Sequence, residues 1–310
     1  MRILFMGTGG FAVPALKALL ASKHQAIGVV TQPDRPAGRG LQVRISPVKQ
    51  VALEAGIPIH QPERVRSEDF ISLVRELAPE AVVVAAFGQI IPKAVLDIPR
   101  FGGVNVHASI LPKYRGAAPV HHALFNGEMH TGVTTMLMDP GLDTGPILLQ
   151  EEMEIRPEDN EGTLEARLAE AGAALLLETL ELLEQGAIAP RPQDDALATY
   201  APSVKKEECG IRWEDEALTI VNRIRGCTPR PGAYAFWRGS PLKVWSSGVA
   251  ADVEAVGEPG EVLRVGDEGI VVCAGRGAVL LIEAQPENRK RMHAGAFARG
   301  YGVVKGVRLA

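Results

Sequence analysis

Short apolar runs alternate with helical periodicities through the first two-thirds of the chain. Ile3-Leu4-Phe5-Met6 predicts a buried strand closed by the turn Gly7-Thr8-Gly9-Gly10, and Leu16, Leu19 and Leu20 then share one helix face behind Pro14. Ala26–Val30 predicts a second strand. Ser46 and Pro47 have the N-cap and first-turn chemistry of a helix that reaches Ala55. Ile57-Pro58-Ile59 predicts a third short strand, and a helix over 67–77 leads to Ala81–Ala85, apolar on both faces as a central parallel strand is. Val104–Val106, a helix near 117–126, a strand over 133–138 and a leucine-striped helix over about 164–184, ended by Gly186, continue the rhythm. This alternation predicts an α/β fold with a doubly wound, mostly parallel, Rossmann-like sheet.

The pattern then changes. Ala189-Pro190-Arg191-Pro192-Gln193-Asp194-Asp195 reads as a linker, and a helix over 213–225 is followed by short β-type runs at 234–237, 242–245, 261–265, 269–273 and 278–283. Short strands with close turns predict a small β-barrel, OB-like in type. At 310 residues the chain exceeds what one core usually serves. The expected organisation is a catalytic domain at 1–189, a linker at 190–204 and a C-terminal domain at 205–310.

Composition narrows the class. With 46% hydrophobic residues and a net charge of −4, the chain is neither disordered nor a wholly basic nucleic-acid coat. Residues 206–310 nevertheless carry 15 Lys+Arg against 13 Asp+Glu, which leaves a net of −6 on the rest. Any nucleic-acid contact must therefore come from local patches. Cys209, Cys227 and Cys273 are too scattered in sequence for a disulfide scaffold or a cysteine zinc site, so free thiols and a cytoplasmic location are expected. The apolar run Ala81–Phe87 has seven residues where a membrane span needs roughly 20, and the N-terminus lacks the pattern of a signal peptide.

Several motifs carry weak chemistry. Gly7-Thr8-Gly9-Gly10-Phe11-Ala12, with Asp34 further on, has the context of a dinucleotide site, but a tight βα turn in any doubly wound fold looks the same. His121 and His122 are adjacent and cannot form an i, i+4 metal pair; surface or packing roles suit them and His130. The segment Thr31–Arg44 reads as a long loop with arginines at Arg35, Arg39 and Arg44 on a Gly/Pro frame, suited either to a phosphate backbone or to solvent.

Gly103 to Pro119 is denser. Asn105 and His107, two apart on a strand, leave the same face, so an amide and an imidazole converge near the carboxyl edge where open α/β sheets bind ligands. Downstream, Asp139-Pro140-Gly141-Leu142-Asp143-Thr144-Gly145 carries two carboxylates after another strand. These motifs, Asn105-x-His107-x-Ser109-Ile110-Leu111-Pro112-x-Tyr114-Arg115-Gly116 with Asp139-x-Gly141-x-Asp143-Thr144-Gly145, resemble those of the folate-dependent formyltransferases. Thr31–Gly40, Ser46–Lys49 and Ala85–Pro92 are similar to the branch that acts on an aminoacyl-tRNA. Ile110 stands where that family more often has leucine, and Cys227-Thr228-Pro229-Arg230-Pro231 stands where an Asn-Pro-x-Pro segment is expected.

The resemblance implies an enzyme of translation initiation. It would transfer the formyl group of 10-formyltetrahydrofolate, a consumed co-substrate, to the α-amino group of methionine on initiator tRNA. Asn105 would donate to the oxyanion, while His107 and Asp143 would polarise the carbonyl or manage the amine proton; which of the two takes that proton stays open. No metal and no obligatory protein partner are implied. The folate pocket would be lined by Ser109, Ile110, Leu111, Pro112, Phe87, Gly88, Gln89, Ile90, Ile91 and Asp139, although Leu111 and Ile91 also suit core packing. The tRNA would be met by Arg39, Arg35 and Arg44 and, in the C-terminal domain, by Lys206, Arg223, Arg225, Lys243 and Arg291. A sibling acting on glycinamide ribonucleotide or an amino-sugar nucleotide would share the Asn/His/Asp trio.

Overall fold

The computed structural model describes residues 1–37 and 42–310. They form two compact units, one of 1–119, 130–154 and 165–201, the other of 120–129, 155–164 and 202–310. In chain order the elements to the end of the long helix are β1 (Arg2–Gly7), α1 (Ala12–Leu20), β2 (Gln25–Val30), β3 (Arg35–Ala37), β4 (Gln42–Arg44), α2 (Pro47–Glu54), β5 (Ile59–His60), α3 (Glu68–Leu77), β6 (Ala81–Ala85), α4 (Lys93–Leu96), β7 (Gly103–His107), α5 (Pro119–Phe125), β8 (His130–Leu137), β9 (Ile147–Glu154) and α6 (Glu161–Gln185).

The first unit is built on a seven-stranded sheet of order β5-β2-β1-β6-β7-β8-β9. Its strands are parallel from β5 to β7, while β8 pairs antiparallel with both β7 and β9. The fully apolar runs become the centre: Ile3, Leu4, Phe5 and Met6 of β1 and all of β6 are buried. Helix starts follow side-chain chemistry, since Ser46 accepts from the Lys49 amide at 3.0 Å and Ser67 from that of Phe70 at 3.4 Å. On the face of β7 that carries Val106, α6 approaches closely, because a Cβ on Gly172 would lie 2.8 Å from a Val106 methyl.

Three expectations change here, and one strand was not expected. The segment 31–44 is not one long loop: β3 and β4 form an antiparallel hairpin in which Arg35 faces Arg44 and Ala37 faces Gln42. Residues 38–41, Arg39 among them, lie outside the described residues. The third strand falls at Ile59-His60, because Pro58 has no amide to donate to the ladder. Edge strand β9 reads poorly in sequence because its apolar start gives way to Gln150, Glu151, Glu152 and Glu154, broken only by Met153, a common protection for an edge. Residues 191–201, expected within a linker, bond to the first unit: Arg191 and Ile147 exchange backbone hydrogen bonds of 2.8 Å, and Arg115 does so with Thr199 and Ala201 at 2.9 and 2.8 Å.

The second unit contains α7 (Ala217–Cys227), β10 (Ala233–Trp237), β11 (Ser240–Val249), β12 (Val262–Gly266), β13 (Gly269–Cys273), β14 (Ala278–Pro286), β15 (Met292–His293) and α8 (Ala294–Tyr301). Its antiparallel, barrel-like sheet runs β10-β11-β14-β13-β12, with β15 on β14. Ile220, Ile224, Val244, Leu281 and Phe297 fill one core. The two end strands are joined by the final residues: Phe236 of β10 exchanges hydrogen bonds with Ala310, while Val262 of β12 donates to Val307 at 2.8 Å and accepts from Gly306 at 2.9 Å. The helix expected from Trp213 begins at Ala217 instead, and Trp213 is buried ahead of it. Cys209 and Cys227 are joined as a disulfide, with Cα–Cα 6.0 Å, where free thiols were expected; packing of α7 brings together residues 18 apart in sequence. Cys273 is free and buried. Among the described residues no helix is long and apolar enough to cross a membrane.

Candidate active site

Asn105 and His107 leave β7 on the face opposite the one packed by α6, and both side chains are buried. The carboxylate reaches them by an indirect route. Because β8 is antiparallel, its end Leu137 lies opposite Val104, at the amino end of β7. The loop 138–146 therefore starts at the far edge and turns back over the sheet. Asp143 arrives with Oδ1 3.5 Å from Asn105 Nδ2 and Oδ2 3.7 Å from His107 Nδ1. The three residues expected to act together are thus brought together.

Backbone groups fix the arrangement. His107 Nε2 lies 2.9 Å from the Tyr114 carbonyl. A carbonyl only accepts, so Nε2 carries a proton and Nδ1 is the nitrogen left for exchange. Asp143 Oδ2 accepts from the Gly116 amide at 2.8 Å. Tyr114 and Asp143 both have left-handed backbones (φ 62° and 52°), conformations that cost of order 1–3 kcal/mol each and persist only when their surroundings impose them. At Gly116 (φ 124°) a Cβ would stand 2.6 Å from the Ala201 carbonyl, so only glycine brings its amide to the carboxylate. Gln193 donates from Nε2 to the carbonyls of Asp143 (2.8 Å) and Gly145 (2.7 Å) and accepts at Oε1 from Arg115. Tyr114, Arg115 and Gly116 belong to the Asn105–Gly116 motif, but their supporting roles were not legible in it. Gln193 gave no signal, lying 50 residues from its partner in an apparent linker.

The expected folate residues other than Asp139 occupy the loops after β6 and β7, which leave adjacent parallel strands. Phe87, Ile91 and Leu111 are core side chains; the Phe87 carbonyl accepts from Thr8 and Gln32, and that of Leu111 from Gln150. Ile90, 83% exposed, is the apolar side chain these two loops leave open. Gln89 ties this loop to Gln32 and Val65, and Gly88 turns it with φ 86°. Ser109 Oγ donates to the Lys113 carbonyl at 2.6 Å, and Thr134 Oγ1 to that of Ser109 at 2.7 Å, which anchors the turn carrying Ile110 and Pro112. Asp139 Oδ1 accepts from the Gly141 amide and from Thr144 Oγ1, so it shapes the Asp143 loop.

The glycine turn after β1 does not present a dinucleotide site. The amides of Thr8 and Gly9 both donate to the Ala86 carbonyl, at 3.2 and 3.3 Å. Asp34 is paired with Lys49 and bonded by Gln61 at 2.9 Å; these bonds, that of Lys49 foremost, hold its carboxyl below the usual range.

The cations differ in availability. Arg35 and Arg44 are exposed, cross-strand neighbours, and Arg35 has Glu63 only at 4.0 Å. Lys206 is exposed. Lys243 Nζ and the Arg291 guanidinium stand 5.3 and 5.5 Å from the Trp245 ring centre, and Arg291 also pairs with Glu283. Arg223 and Arg225, expected at phosphates, are hydrogen-bonded within the second unit. Arg225 donates to the carbonyls of Asp159 and Arg156 at 2.7 Å and to Asn222 at 3.3 Å, while Arg223 donates to the Glu208 carbonyl at 2.7 Å. These bonds tie both side chains within the second unit, and burial pulls both guanidinium pKa values down. His121 and His122 meet the carbonyls of Arg230 and Pro202. Among the described residues no group of three or more His, Cys, Asp or Glu is placed to hold a metal ion.

Comparison with known proteins agrees with this geometry. A formyl transferase family matches residues 1–180, and the formyl transferase C-terminal domain matches residues 203–302. A methionyl-tRNA formyltransferase of Moorella thermoacetica is 50% identical over 306 residues, covering 99% of this chain and 98% of that protein. One from Syntrophus aciditrophicus is 50% identical over 311 residues, covering 100% and 99%. Among solved structures, HypX from Aquifex aeolicus in complex with tetrahydrofolic acid superposes with a TM-score of 0.66 at 19% identity, covering 96% of this chain, which spans about half (47%) of HypX. The sugar 3N-formyl transferase WlaRD, crystallised with dTDP and 5-N-formyl-THF, gives 0.65 at 21% identity, covering 94% of this chain and 99% of WlaRD. At those identities the two structures speak for the fold alone.

Proposed function

The chain belongs to the formyl transferase family, and from that premise we propose that it transfers the formyl group of 10-formyltetrahydrofolate to the α-amino group of methionyl initiator tRNA. The observation that carries this is the meeting of Asn105, His107 and Asp143 over one face of β7, in a chain similar over its whole length to methionyl-tRNA formyltransferases. The neutral amine attacks the formyl carbon, and the carbonyl electrons move to oxygen. Asn105 Nδ2 donates to that oxyanion, a role whose loss typically costs on the order of 10²–10³ in rate.

The attacking nitrogen must then lose a proton. His107 has Nε2–H committed to Tyr114, so Nδ1 is its free site, and a neutral Nδ1 lone pair facing Asp143 Oδ2 becomes favourable once a proton lies between them. The pair is therefore the proton acceptor, with Asp143 stabilising the imidazolium. Collapse of the intermediate breaks the bond from formyl carbon to N10, and N10 takes up a proton. Tetrahydrofolate and formylmethionyl-tRNA leave.

For tRNA, the support lies in the Arg35/Arg44 pair. Like charges directly opposite on a hairpin repel, and a phosphate near both relieves the repulsion. Arg39 lies in the same segment, and Lys206, Lys243 and Arg291 supply further cations. We also propose that the enzyme works in the cytoplasm, without an obligatory protein partner.

The test is formyl transfer from 10-formyltetrahydrofolate to methionyl initiator tRNA, with uncharged tRNA, elongator tRNA, glycinamide ribonucleotide and an amino-sugar nucleotide as alternative acceptors. Turnover confined to the methionyl initiator tRNA is expected. Transfer to a small amine instead, or to none of the acceptors, overturns the proposal.

A further inference from the structure

We infer that Gln193 is a positioning residue of the transfer site, locked by the buried Arg115 and acting through Asp143; the inference rests on Asp143 belonging to that site. Asp143 holds a left-handed backbone, and its carboxylate must meet two side chains and an amide at once. Something must hold its loop. Gln193 Nε2 spends both N–H groups on the loop, one on the Asp143 carbonyl (2.8 Å) and one on that of Gly145 (2.7 Å).

The orientation of the Gln193 amide is determined by its surroundings. Its Oε1 faces Arg115 Nε at 3.1 Å and a terminal guanidinium nitrogen at 2.9 Å, all donors, while Nε2 faces only carbonyls. A flipped amide would set oxygen against oxygen and N–H against N–H. Arg115 cannot yield easily: its side chain is 2% exposed, and the same terminal nitrogen is also held by Asp195 at 2.7 Å, itself 82% exposed.

Three successive residues thus serve both halves of the proton-accepting pair. The Tyr114 carbonyl holds the His107 ring, Arg115 holds the Asp143 backbone through Gln193, and the Gly116 amide holds the Asp143 carboxylate. The Gln193 side chain bonds to Arg115 and to the Asp143 and Gly145 carbonyls. Its effect is to keep the carboxylate in register with His107 Nδ1.

Gln193→Glu tests this, because it keeps size and the Arg115 contact while replacing the double donor with an oxygen that faces two carbonyls. Single-turnover transfer to methionyl initiator tRNA is measured together with tetrahydrofolate affinity in wild type, Q193E, D143N and the double variant. Q193E should slow transfer about 10- to 100-fold, the scale of a displacement of about 1 Å, and leave folate affinity within about twofold. In the D143N background the same change should cost less than about threefold, since the carboxylate it positions is already gone. A merely structural role would cost the same in both backgrounds, and that result overturns the inference, as does a folded Q193E within about threefold of wild type. If Q193E does not fold, Gln193→Ala takes its place in the same cycle, because it removes the donors without introducing a charge. A D143N variant as fast as wild type would instead refute Asp143 as a site residue.

Discussion

Replacing Asp143 by asparagine isolates one charge. Asparagine keeps an oxygen to accept the Gly116 amide and fits the same loop, so the fold and the folate pocket stay in place while the negative charge beside His107 disappears. The loss can be worked from the geometry. Unit charges 3.7 Å apart, at an effective dielectric of about 20, attract by about 4.5 kcal/mol. The Asp143 side chain is only 15% exposed, so little of this is screened by solvent. If an imidazolium forms as the amine is deprotonated, that attraction is present in the transition state and absent before it, and its removal slows transfer by roughly three orders of magnitude. The assay is single-turnover transfer at saturating 10-formyltetrahydrofolate and methionyl initiator tRNA, with KM for each substrate measured separately. The rate should fall by about 10³ with both KM values nearly unchanged. Because the pair is buried, the ratio of wild-type to variant rate should not depend on salt. A folded D143N variant within about fivefold of wild type would refute the ion pair as the source of transition-state stabilisation.

Other perturbations read the same geometry. Asn105→Ala should lower kcat by about 10²–10³ with folate affinity retained, as judged by tetrahydrofolate titration. Arg35→Ala and Arg44→Ala should each raise KM for tRNA but not for folate, and should flatten the log–log salt dependence of tRNA binding by roughly 0.7–0.9 for each phosphate no longer neutralised; an unchanged slope would exclude the hairpin from the interface. Burial holds the imidazoles of His60 and His121 below their ordinary pKa, and His60 Nε2 has no hydrogen-bond partner among the described residues. The unfolded chain therefore takes up protons first, so stability should fall as pH drops below about 6.5 and level off once the folded histidines titrate as well. Glu165, pushed up by burial, works in the opposite sense nearer the carboxylate range. Melting temperature followed from pH 8 to 5 checks this, and His60→Leu should flatten the decline.

Sequence pattern carried the first unit as far as its elements announce themselves alone. β1, β6 and α6 have binary patterns that admit one reading, whereas β9 is disguised by edge glutamates and α8 by glycines in a short helix. The arginine hairpin hid behind Pro/Gly composition, although its pairing is what sets Arg35 against Arg44. At the site, the two-residue period of a strand suffices to put Asn105 and His107 on one face. Only resemblance brought Asp143 into the same constellation, because its approach depends on β8 reversing direction and the following loop turning back. Gln193 and Arg115 were beyond local pattern altogether: they are joined across 78 residues, and no periodicity encodes such a contact.

The final residues of the second unit, bonded to β10 on one side and β12 on the other, occupy the positions where a sheet would otherwise present two open ladders. Removing residues 306–310 would take the buried Leu309 out of the core and expose unpaired amides and carbonyls on both flanks. Such edges recruit strands from other molecules. The consequence of shortening this tail is therefore self-association before loss of catalysis, seen as concentration-dependent light scattering in preparations whose turnover per soluble molecule is still normal.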